Sequence, residues 1–280
     1  MDTHPTYCTG AGGHAPLSAP HPRIYGTIAR MMLPEPATDV FRTGLPPLLA
    51  DMVAAGEEKP GAQALRDESS PSLLAAAFDQ LLDVMARSER SQALESEPAA
   101  DAGSITEIGE YALELFDQTL RRANDLELPV VFDGLQAYTI AMARWIAVHG
   151  GQLMTLEPVV DAFARHANTT RDPAELVDLY GAMGDVLNAA SPVIQQDLER
   201  SNPGRPWRIL HLNRAIVATR THQPDLMEEA FGCLVKHLPE DAAGFFSQGM
   251  EQMDLLNYPP HVRAVMDRYY RTWSINRSLH

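Results

Sequence analysis

Residues 130–148, VVFDGLQAYTIAMARWIAV, constrain the fold more than any other stretch of this 280-residue chain, because they are apolar on nearly every side. Val130, Val131, Phe132, Leu135, Tyr138, Ile140, Met142, Trp145, Ile146 and Val148 cannot share one stripe of a helix. A helix that is apolar all round needs protein on all sides, so this segment is expected to be the buried element the others pack against. A membrane span fits less well. The stretch carries Asp133, Gln136 and Arg144, and five of its residues are Ala or Gly. A charge near a bilayer centre costs roughly 2.5–3.5 kcal/mol. Asp125 and Glu127 precede it and Gly150–Gly151 follow, with no Lys/Arg collar to orient it.

Around that rod the sequence reads as all-α. Leu74, Phe78, Leu81, Leu82 and Met85 recur with helical spacing behind Pro71. Ser104-x-x-Glu107 and Asp172-x-x-Glu175 match the capping box, in which a side-chain oxygen and a returning carboxylate satisfy free N–H groups at a helix start. Behind Ser104, residues Ile105, Ile108, Tyr111, Ala112, Leu115, Phe116, Thr119 and Ala123 form one expected inward face. Segments 39–55, 156–167 and 172–190 are also helical in pattern. Pro46–Pro47 argue for a break in the first of them, and Ser191–Pro192 for a kink or restart after the last, with the helix ending near Arg200. No alternating β-branched run bounded by turns survives.

Three regions follow from this pattern: an irregular, Pro/Gly-rich arm over 1–36, helical segments with acidic linkers over 37–103, and an all-α helical-hairpin domain over 104–280. In the last, helices over 206–221 and 225–238 are separated by three residues, and those over 240–256 and 261–273 by Tyr258–Pro259–Pro260. Joints this short force antiparallel neighbours.

The first members of these two pairs begin about 33 residues apart, at Pro206 and Pro239. With Trp207-x-x-Leu210, Ala230, Phe245 and Gly249 at matching positions, 206–273 resembles the tetratricopeptide class of helical repeats. The pattern departs at His211 and Gln223, where small residues are expected, and it extends only loosely to 105–200. The resemblance implies stacked hairpins, in a solenoid-like array around the central helix, with a groove for a peptide or protein partner.

Charge narrows the partner. The net charge is −15, yet residues 201–280 hold 9 Lys/Arg against 8 Asp/Glu, and residues 1–200 hold 13 against 29. Nucleic acid and anionic lipid are therefore disfavoured as general partners. Arg208, His211, Arg214 and His222 project to one side of an acid-free helix that begins after Arg205. These five residues are expected either to balance the acidic front of the chain or to form a docking stripe for an acidic segment. Arg144, on the central helix, is expected to snorkel to the surface or, if buried, to need a carboxylate such as Asp161 or Glu175 and to mark a pocket.

Local catalytic motifs are missing: no phosphate loop, no G-x-S-x-G, no H-E-x-x-H. Neither catalytic residues nor a cofactor are expected. His4, Cys8, His14 and His21 have spacings that match no common zinc module, so no metal is expected either. Two cysteines and the lack of a basic-then-apolar leader point to the cytoplasm. The function expected is a non-catalytic interaction protein, such as an adaptor, assembly factor or accessory subunit. The alternatives are an enzyme or small-ligand sensor with a pocket beside the central helix, and a secreted bacterial effector.

Overall fold

The computed structural model describes residues 33–58, 70–93 and 102–274, and the arm over 1–32 with its histidines and Cys8 lies outside them. The described residues are all-helical. Eleven helices follow one another: α1 (Thr38–Glu58), α2 (Pro71–Ala93), α3 (Ala102–Asp125), α4 (Pro129–Val148), α5 (Glu157–Thr169), α6 (Pro173–Ala189), α7 (Pro192–Gln195), α8 (Pro206–Arg220), α9 (Pro224–His237), α10 (Pro239–Leu255) and α11 (Pro260–Ser274). Eight of them begin on a proline, whose missing N–H does no harm in the first turn. The only extended pairing among the described residues is an isolated parallel bridge between Leu153 and Ala190.

α4 is the apolar rod. Leu135, Ile140, Met142, Trp145 and Ile146 are fully buried, because α1, α3, α5 and α6 all pack on it. Its large apolar side chains are exposed only at the ends, at Val130 and Val148. Close approach is built in: a Cβ on Gly109 of α3 would stand 2.4 Å from Ile146, and one on Gly134 of α4 2.7 Å from Leu48 of α1. The rod ends as its sequence indicates, with Gly150 in the left-handed region at φ 79°. Among the described residues no helix is long and apolar enough to cross a membrane.

The first four helices close on themselves. α1 packs on α2, α2 on α3, α3 on α4, and α4 back on α1. A solenoid would stack α3–α4 on α1–α2 without that return. Beyond the ring, α6 and α5 carry the packing from α4 to α8, α8 carries it to α9, and α9 to α10 and α11. One contiguous apolar cluster runs from Phe41 to Met266.

Three local expectations need correction. α1 is continuous through Pro46 and Pro47. Both prolines face solvent, where water can satisfy the carbonyls of Arg42 and Thr43 that lose their N–H donors, while Phe41, Leu45, Leu49 and Met52 anchor the opposite face. α3 begins at Ala102, so Ser104 lies inside its first turn instead of capping it. On the same helix Tyr111 is 53% exposed, not inward-facing. At the second box Asp172 is the N-cap of α6 and accepts from the N–H of Ala174 at 2.9 Å and of Glu175 at 3.5 Å. After α6 the helix does restart behind Ser191, but for a single turn that ends at Gln195.

Candidate functional site

Four of the five residues expected to form a docking stripe are on α8 or at its N-cap, and the structure turns the three arginines among them toward the protein's own carboxylates. Arg205 is 4% exposed. Its Nε and Nη2 donate to the two oxygens of Asp197 at 2.5 and 2.9 Å, Nη2 also reaches Glu240 at 3.3 Å, and Nη1 donates to the carbonyls of Arg200 and Asn202. A two-pronged fork of this kind is the strongest geometry a guanidinium offers. The pair raises the Arg205 pKa above its ordinary value, the hydrogen bond it donates to Asp197 being the main cause. Asp197 sits at φ 48°, a left-handed conformation that Asp tolerates better than most residues. Arg208 grips Asp241 of α10 with Nε and Nη2, at 2.9 and 2.6 Å.

Further along α8, Arg214 is 7% exposed. It donates to Glu229 of α9 at 2.6 Å and lies 4.1 Å over the ring of Tyr180 on α6. That hydrogen bond holds the Glu229 carboxyl below its usual range. Arg220, at the end of α8, donates to the carbonyls of Ala167 and Thr170 at 2.6 and 2.5 Å and so caps the C-terminus of α5.

His211 lies between these cations and is 3% exposed. Its ring stacks on His237 of α9 with centroids 5.0 Å apart, and Trp207 meets it edge-on at 4.5 Å. Burial above all, then the neighbouring His237 and Arg214, push its pKa down to about 3. The imidazole is thus neutral at physiological pH, and its Nε2 has no hydrogen-bond partner among the described residues. His222 stands apart at the α8–α9 tip, exposed and at φ 57°.

The expected open stripe is therefore a seam between helices. Arg205, Arg208 and Arg214 already hold acidic partners, so an acidic ligand would have to displace carboxylates bound at 2.5–2.9 Å. The residues that complete the seam (Asp197, Glu229, Glu240 and Asp241) are those the helical projection of α8 could not supply. Arg144 is 23% exposed and pairs at 3.3 Å with Asp185 of α6, so neither Asp161 nor Glu175 is its partner. Asp161 instead faces burial and the like charges of Glu157 and Asp117, all of which raise its pKa.

A second polar junction, not foreseen from sequence, ties the ring together. Oε1 of Glu89 on α2 accepts from the N–H and hydroxyl of Thr38 at 3.2 and 2.8 Å and from the indole N–H of Trp145 at 2.7 Å. His149 Nε2 lies 3.7 Å away. Among the described residues no group of three or more His, Cys, Asp or Glu side chains is placed to hold a metal ion. No family model matches this chain, and neither a characterised protein nor a solved structure resembles it significantly.

Proposed function

We propose that the chain is a non-catalytic interaction protein, an adaptor or accessory subunit acting in the cytoplasm, and that α8–α11 are two tetratricopeptide-like hairpins presenting its partner surface. One observation carries this reading: the tips of the two hairpins lie side by side. His261 at the start of α11 sits 3.2 Å from the carbonyl of His222 in the first tip, and the His222 ring meets Tyr258 of the second at 5.1 Å. Consecutive helical repeats stack in this way. Leu255 and Leu256, at the second tip, are 74% and 52% exposed. Two adjacent bare leucines on a tip are apolar surface that a partner would cover. The arginines, being engaged, contribute rigidity to that surface in place of direct contacts.

A photo-crosslinking residue placed at Leu255 of the full chain in its native host tests the reading. One discrete adduct is expected, lost when Leu256→Asp is added and absent when the crosslinker stands at Glu157 on α5. No adduct from Leu255, or the same adducts from both positions, would overturn it.

A further inference from the structure

α1 carries two apolar stripes where one would satisfy the core. Phe41, Leu45, Leu49 and Met52 form the first and are buried. Pro46, Ala50, Val53 and Ala54 form the second, also at helical spacing, and of these only Val53 is even partly covered. Together with Ala75 of α2 they line a trough of about 360 Å³, to which Leu49 contributes from the core side. Its rim bears two carboxylates, Glu57 of α1 and Asp79 of α2. Neither has an ion-pair partner among the described residues, and no Lys or Arg lines the trough. Arg42, the arginine of α1, is already held by Asp83 at 2.6 Å and by the carbonyl of Leu82 at 3.1 Å.

We infer that this trough docks a cationic amphipathic helix, one whose apolar ridge is flanked by Lys or Arg. The wall residues are short, so a helix axis can approach closely and insert Leu-sized knobs at i and i+4. The rim selects the flank: a cation opposite Glu57 and Asp79 gains attraction, whereas an acidic helix meets two unscreened like charges. The acidic front of the chain steers the same class of partner toward this end of the molecule. This surface is distinct from the hairpin tips, and either can fail without the other.

The probe is a labelled 14-residue Leu/Lys amphipathic peptide, titrated by fluorescence anisotropy against the full chain, with a Leu/Glu peptide of the same apolar pattern as comparison. Saturable binding of the Leu/Lys peptide is expected, weakened at least tenfold by Ala50→Trp, which fills the trough from an exposed position. Glu57→Gln with Asp79→Asn should weaken it several-fold and flatten its salt dependence. Glu107→Gln with Glu114→Gln, which removes equal charge from α3, should leave it unchanged. Circular dichroism melts verify that each variant folds. Equal binding of both peptides, indifference to Ala50→Trp, an equal loss from the α3 variant, or no saturable binding would each overturn the inference.

Discussion

Two helices act as hubs in this protein, and they do so by opposite means. α4 is surrounded by four helices and meets them with Leu135, Ile140, Met142, Trp145 and Ile146, all fully buried. α8 is likewise packed on α5, α6 and α9 and buries Leu210, Val217 and Ala218, yet it also reaches α10, α9 and α5 with Arg208, Arg214 and Arg220, and its N-cap Arg205 holds Asp197. An apolar hub is indifferent to which atom meets which, within the limits of packing. A charged hub is not: each guanidinium fixes particular carboxylates or carbonyls, so it specifies register at the expense of desolvation. The two hubs should therefore respond differently to substitution, salt and pH.

The largest effect is expected at the apolar hub. Trp145→Ala should destabilise the chain by about 3–5 kcal/mol in chemical denaturation, near the upper end because Glu89 also loses the indole donor. Next comes the buried fork. Asp197→Asn leaves Arg205 charged inside the protein with only the longer contact to Glu240, at 3.3 Å, as its carboxylate partner, at a cost of about 3 kcal/mol. Adding Arg205→Met should recover at least half of that loss, whereas no second substitution beside Trp145 can restore the ring volume. A double mutant no more stable than Asp197→Asn alone would show that α8 is held by packing, as α4 is.

The apolar hub was legible in the sequence because its evidence is local: nineteen consecutive residues show by themselves that no face can meet water. The Asp172 cap and the short joints of the last four helices were legible for the same reason. The charged hub was not. Helical projection placed Arg208, His211 and Arg214 along one helix but also His222, which lies beyond its end, and the carboxylates that meet Arg205, Arg208 and Arg214 come from 8 to 35 residues away. Charge totals hid the pairing too, since a nearly neutral C-terminal region can be either unpaired or fully paired. Arg144 shows the same limit, its carboxylate lying 41 residues on in Asp185. Pro46–Pro47 misled for a different reason: a proline costs a helix least on a solvent face, where water can satisfy the freed carbonyls.

Acid should separate the hubs further. His211 has a folded pKa of about 3, so below pH 6.5 the unfolded chain takes up a proton that the native seam refuses. Stability is then complete above pH 6.5 and declines as pH falls toward 3, by roughly 2 kcal/mol at pH 5. Denaturation of the native chain at pH 8 and pH 5, compared with His211→Gln, isolates this share; an equal pH dependence in both would remove His211 as its source. Smaller effects follow at the surface. Asp172→Ala should cost about 1 kcal/mol through the lost cap of α6. Asp133→Asn, which breaks the half-exposed pair with Arg165, should cost well under about 1 kcal/mol and nothing in high salt.

Native-state hydrogen exchange resolved by helix, at pH 7 and pH 5 and corrected for intrinsic rates, tests the contrast most directly. On moving to pH 5 the amides of α8 and α9 should lose roughly tenfold or more of their protection, and His211→Gln should abolish most of that loss. Undiminished protection of α8 in the native chain, or the same loss in His211→Gln, would mean that the buried seam is not what holds α8.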